Sequence, residues 1–312
     1  MITVFAALAP VFALIVLGHV LSRRDFPAPG FWPMAERLTY YVLFPALLVD
    51  RLSRLDAPGG ELWRMTVALV LAVLAVFALL LMIRRRAAPD GAAFTSVVQG
   101  AIRPNTYVGL SAAAALLGPS GLSLSAVALM TLIPLVNLLC VASLGRWGQR
   151  IGGPAKVSVL LELAKNPLIL SCVAGFALNQ SGLALPQIAA ETLRVLGNAS
   201  LPLGLLAVGA GLSPRSVVRS LRPTAVSSAV KLLVLPLLTA LLCSLFGVEG
   251  EAMAVAVIFT AVPVSVSSFI LARQMGGDHV LMAGIITAQT AAAALTMPLI
   301  LILLATLFPG LP

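Results

Sequence analysis

Apolar stretches long enough to cross a bilayer recur from one end of this 312-residue chain to the other. No other feature restricts its fold so tightly. A helix needs about 20 predominantly apolar residues to cross the hydrocarbon core. Inside that core no water pairs an exposed peptide group, so each run must satisfy its own backbone as a helix. Hydrophobic residues make up 60% of the chain and charged residues 10%, whereas a soluble domain carries about a quarter charged residues. The net charge of +9 would point to nucleic acid in a soluble protein. Here the basic residues are scattered through short loops between apolar runs, so membrane topology explains them and no nucleic-acid partner is expected.

Ten spans can be placed, at residues 3–22, 33–50, 62–83, 92–117, 122–144, 159–179, 188–212, 223–246, 252–274 and 280–308. The first has no basic residue ahead of it and no small-residue cleavage site after it, so it is read as a mature span. A basic loop with Arg146, Arg150 and Lys156 divides the chain into halves, 1–150 and 151–312. Pro10, Pro45, Pro104 and Pro134 recur as Pro167, Pro202, Pro263 and Pro298, at offsets of 157, 157, 159 and 164 residues. Each pair falls in corresponding spans, which indicates a duplication. Five spans per repeat force the halves into opposite orientations, an inverted repeat. Twelve Arg and Lys residues lie in loops 1–2, 3–4, 5–6, 7–8 and 9–10, against three in loop 2–3. The positive-inside bias therefore puts both termini outside the cytoplasm.

Two spans carry residues a plain membrane helix avoids. The fourth contains Gln99-Gly-Ala-Ile-Arg-Pro-Asn-Thr-Tyr-Val-Gly109, and the ninth contains Thr260-Ala-Val-Pro-Val-Ser-Val-Ser-Ser268. Proline removes a backbone donor and clashes with the preceding turn. Unwound backbone survives at membrane depth only against protein or a wet cavity. Paired breaks in corresponding spans of two halves point to a transporter binding site. The alternative is two kinked but continuous helices.

If both helices break, Arg103, Pro104, Asn105, Thr106 and Tyr107 would line one gap, and Thr260, Pro263, Ser265, Ser267 and Ser268 the other. Helix N-termini restarting after each break would present partial positive charge. An arginine near mid-span costs at least about 2.5–3.5 kcal/mol, so Arg103 should meet a cavity or a partner. Together these features favour an organic anion such as a carboxylate. Asn137 and Gln289 could face the breaks or join helices to one another. Lys231 is a possible electrostatic contributor, two turns into its span, from where snorkelling to the interface is expected.

Absences narrow the function further. Cys140, Cys172 and Cys243 show no metal-ligand spacing and read as small buried hydrophobes. Glu36, Asp50, Glu162, Glu191, Glu251 and Asp278 fall at span ends or in loops, so no buried acid calls for ion coupling. No nucleophile–base pair is visible inside a span, which argues against a membrane-embedded enzyme. No cofactor or metal is expected.

The chain resembles the auxin efflux carrier family, which contains plant auxin exporters and bacterial permeases for malonate and other organic acids. The similarity rests on Pro104-Asn-Thr-Tyr-Val-Gly109, on Lys165-Asn-Pro167, on Pro202-Leu-Gly-Leu-Leu-Ala-Val-Gly209, and on Pro263 with Phe269-Ile-Leu-Ala-Arg-Gln274. The resemblance implies an all-α membrane protein of ten helices in two inverted five-helix repeats, with broken helices four and nine crossing. It implies a transport domain of helices 3–5 and 8–10 moving against a scaffold of helices 1, 2, 6 and 7. It makes Asn105 a substrate contact and implies a homodimer in the bacterial inner membrane. A sodium-coupled organic anion symporter of the related bile-acid type is the competing expectation.

Overall fold

The computed structural model describes residues 2–54, 59–149, 166–183, 185–217 and 220–307. Every regular element among them is helical, apart from one isolated antiparallel bridge between Pro104 and Val264. Six helices are long and apolar enough to cross a membrane: Thr3–Arg23, Leu62–Met82, Thr106–Trp147, Gln187–Ala210, Leu221–Leu245 and His279–Leu307. Three shorter apolar helices are Gly91–Ile102, Pro167–Ser181 and Gly250–Ala261. The chain is a multi-pass membrane protein. The divide between halves at 150/151, the beginning of the sixth span, and Arg150, Lys156, Glu162, Lys165 and Arg219 lie outside the described residues.

The first half opens with α1 (Ile2–Arg23) and α2 (Phe31–Leu38). A π-helical turn (Thr39–Leu43) leads into α3 (Phe44–Leu52), and α4 (Gly59–Met82) and the short α5 (Arg84–Ala87) follow. Next come α6 (Gly91–Ile102) and α7 (Thr106–Trp147). The latter folds back on itself at Gly118, whose φ of 64° and ψ of −143° are not helical. That left-handed backbone is open to glycine at little steric cost. The second half continues with α8 (Pro167–Ser181), α9 (Gln187–Ala210) and the short α10 (Pro214–Val217). Then α11 (Leu221–Ala229), a second π-helical turn (Val230–Val234) and α12 (Leu235–Leu245) form one interrupted rod. The chain ends with α13 (Gly250–Ala261), α14 (Ser267–Met275) and α15 (His279–Leu307).

Both π-helical turns run directly into a residue followed by proline, Phe44-Pro45 and Leu235-Pro236. A proline ring collides with the carbonyl four residues back, and the wider turn gives that carbonyl room. Pro10, Pro134, Pro202 and Pro298 sit inside helices that continue through them. Pro167 is the first residue of α8, and among the described residues Pro104 and Pro263 are the two of the eight that lie between a helix that ends and one that begins.

The packing falls into two groups. In one, α1 lies along α9, and α3 packs on α8 and α9. Glycines set those approaches: a Cβ on Gly209 would collide with the Ile15 carbonyl, and one on Gly18 with the Leu206 carbonyl. Small residues at such contacts bring membrane helices together without a hydrophobic drive from water. In the other group α6 and α13 are enclosed, with Ala92–Ile102 and Ala252–Ala261 buried throughout. Around them stand α4, α7, the α11–α12 rod and α15. The two fully enclosed elements are those that run into the breaks.

Candidate functional site

Helix α6 stops at Ile102 because Arg103 is extended (φ −80°, ψ 119°) and Pro104 cannot donate to the turn behind it. Helix α7 starts afresh from Asn105, whose Oδ1 accepts from the Tyr107 N–H at 3.1 Å and the Val108 N–H at 3.3 Å. This is the N-cap role in which asparagine is preferred. In the ninth span α13 ends at Ala261 and α14 begins at Ser267, with Pro263 between them. The continuous-helix alternative is therefore excluded in both spans.

The breaks meet each other. The Asn105 N–H donates to the Pro263 carbonyl at 2.8 Å, alongside the bridge between Pro104 and Val264. Gln289 on α15 ties the junction together. Its Oε1 accepts from the Val264 N–H at 2.9 Å, and its Nε2 donates to the Gly100 carbonyl at 3.0 Å. The same Nε2 reaches Ser227 Oγ at 3.4 Å, and Ser227 Oγ donates to the Val97 carbonyl at 3.1 Å. Backbone groups freed by both breaks thus find partners inside protein, as hydrocarbon depth requires.

Several polar atoms are left over. Asn105 is 1% exposed, and its Nδ2 has no hydrogen-bond partner among the described residues. Arg103 is half-buried; Nη2 donates to Ser267 Oγ at 3.3 Å, while the buried Nη1 has none. Gln99 lies one turn before Arg103 on α6, fully buried, with both amide atoms unpartnered. Ser268 Oγ is buried and unpartnered as well. Each such group forfeits about 1–3 kcal/mol of solvation unless something bonds it. Most of these atoms are donors, and one carries charge, so the chemistry that satisfies them is that of a hydrogen-bond acceptor.

The other expected residues divide. Ser265 and Ser267 bond each other at 2.9 Å and are partly buried beside Arg103. Thr106 is half-buried at the first turn of α7. The Tyr107 ring stacks on Phe44 of α3, with centroids 4.8 Å apart and planes inclined at 11°, joining the two packing groups. Thr260 turns back onto its own helix, donating to the Ala256 and Val257 carbonyls at 2.9 and 3.0 Å. Asn137 is half-buried on the part of α7 beyond Gly118, one turn before Cys140, whose side chain interacts with Arg103. Lys231 corrects a sequence expectation: it is 0% exposed, and Nζ has no partner among the described residues. Depth along the helix allowed snorkelling, but the side chain is enclosed by the elements packed around its turn.

Gln99 was not among the sequence candidates, although it sits in the same polar run. Its four-residue spacing to Arg103 places both on one helical face. Among the described residues, no group of three or more His, Cys, Asp or Glu side chains is placed to hold a metal ion.

The two interrupted helices thus cross at a buried, donor-rich junction inside a multi-helix membrane protein. Residues 155–301 match the model of a family described as Membrane transport protein. That stretch, in the second half of the chain, is similar to the auxin efflux carrier-type membrane transport family. No match was found among curated proteins.

Proposed function

We propose that this protein carries a small organic anion across the membrane by alternating access, with the helix crossing as its binding site. The observation that carries this reading is a pair of buried, unpartnered donors, Arg103 Nη1 and Asn105 Nδ2, beside the meeting point of both breaks. A carboxylate accepts such bonds in charge-assisted form, which makes them roughly twice as strong as neutral ones. Ser267, Ser268 and Gln99 stand close along the chain to complete the shell. Thr106, Tyr107, Ser265 and Asn137 flank it, while Pro104 and Pro263 keep it open. Thr260 and Gln289 support the crossing from within.

In this reading the chain has ten crossings in two inverted five-helix repeats, 1–150 and 151–312. Helices 3–5 and 8–10 form the moving unit, and helices 1, 2, 6 and 7 form a scaffold. The separation between the α1/α3/α8/α9 group and the elements around α6 and α13 supports that division. The protein works as a homodimer in the bacterial inner membrane, with both termini on the non-cytoplasmic side.

A thermal-shift series on the purified full-length protein tests the site. Malonate and acetate are expected to raise the melting temperature, whereas neutral acetamide leaves it unchanged. Arg103→Ala should abolish the rise. A shift of the same size with acetamide, or one that survives in Arg103→Ala, would contradict an anion site built on this guanidinium.

A further inference from the structure

Lys231 lies outside the anion shell, yet it is fully buried and its ammonium nitrogen has no hydrogen-bond partner among the described residues. Its neighbours fix its depth. Ser227, four residues earlier, bonds the Val97 carbonyl and receives Gln289 Nε2. The α5 helix packs on α11, while α6 packs on both α11 and the π-helical turn that follows. The α11–α12 rod therefore runs alongside α6 in the same direction. One turn beyond Ser227, Lys231 sits level with the end of α6, where Arg103 and the crossing lie.

The elements packed against its turn are α6, α11, α12, α13 and α15. They present no acid at this depth. Helix α6 has no ionisable residue and is followed by Arg103; α12 offers only Cys243. The remaining groups, Arg222 on α11, Glu251 on α13 and His279 on α15, are exposed and stand at the first or second residue of their helices. A dry ammonium without a counter-ion is strongly disfavoured. The geometry is that of a buried amine with no counter-ion among the described residues. Ionisable groups inside membrane spans typically mark relays of this kind.

We propose that Lys231 is the proton-accepting group that couples anion binding to proton uptake, an inference that rests on the anion reading under Proposed function. When an anion enters beside Arg103, its charge offsets the local positive field. The Nζ lone pair then takes the proton of a hydronium ion: one N–H bond forms, one O–H bond breaks to leave water, and no bond in the anion changes. On release of the anion the proton returns to water. A monoanion would thus travel with one proton and no net charge.

Calorimetric titration of malonate, with acetate in parallel, into the purified full-length protein tests this. Run in buffers of low and high ionisation enthalpy at mildly alkaline pH, it counts protons taken up per anion bound. The wild type should take up close to one. Lys231→Arg, permanently charged, should bind without proton uptake. Lys231→Met should also show none and bind at least about tenfold more weakly. Binding by the wild type without proton uptake, or uptake that persists in Lys231→Met, would overturn the coupling and leave the anion site standing. Failure of both anions to bind the wild type would overturn the anion reading and the coupling with it.

Discussion

The Oδ1 of Asn105 closes the first turn of α7, while its Nδ2 remains buried with no partner among the described residues. Two substitutions separate these roles. Asn105→Ala removes the cap and is expected to destabilise the protein by about 1 kcal/mol, read as a lower melting temperature. Asn105→Asp keeps a capping oxygen and replaces the spare donor with an anionic acceptor. It should melt like the wild type and fail to transport malonate. Normal transport by Asn105→Asp would remove the Nδ2 donor from the site. Arg103 and Lys231 show the same logic with opposite surroundings. One guanidinium nitrogen of Arg103 has a serine partner, whereas Lys231 has none among the described residues. The sequence could not separate them, since each reads as a basic residue inside an apolar span. Counting turns to the interface gave depth along the axis, but burial depends on which neighbour the side chain faces.

Broken elements need something to hold their ends, and Gln289 does so from α15 by bonding backbone on both sides of the crossing. Gln289→Leu would leave the Val264 N–H and the Gly100 carbonyl unpaired in a dry core. The expected loss is on the order of 2–4 kcal/mol, measured by reversible unfolding in mixed detergent micelles. An unfolding midpoint unchanged from wild type would show that the junction is held by other means. Both breaks were legible in the sequence, but not from proline alone, because Pro10, Pro134, Pro202 and Pro298 lie in continuous helices. What set Pro104 and Pro263 apart was their polar neighbours: an asparagine able to cap a new helix, and a serine run after the other proline. The π-helical turns before Pro45 and Pro236 were not legible, since they relieve strain through geometry that no residue type advertises. Gln99 escaped notice for a related reason: its significance lies in its unpartnered amide, which only packing reveals.

At the scale of the whole molecule, two packing groups meet through contacts such as the Phe44–Tyr107 stack, and the crossing lies beside that seam. The apolar length of the spans was legible because the bilayer imposes it. How the groups pack was not, since glycines such as Gly18 and Gly209 disclose their partners only when the backbones are brought together. Relative motion of the groups would expose the Arg103–Asn105 gap to each side in turn. Sodium-coupled transport would need the cation for every cycle, whereas a carrier built on Arg103 and Lys231 needs only the anion and a proton. Counterflow of radiolabelled malonate in proteoliposomes, with and without sodium, tests this most directly. The predicted result is accumulation of label by the wild type in both conditions and none by Asn105→Asp. Strict dependence on sodium, or equal accumulation by Asn105→Asp, would contradict an anion site at the crossing that runs without sodium.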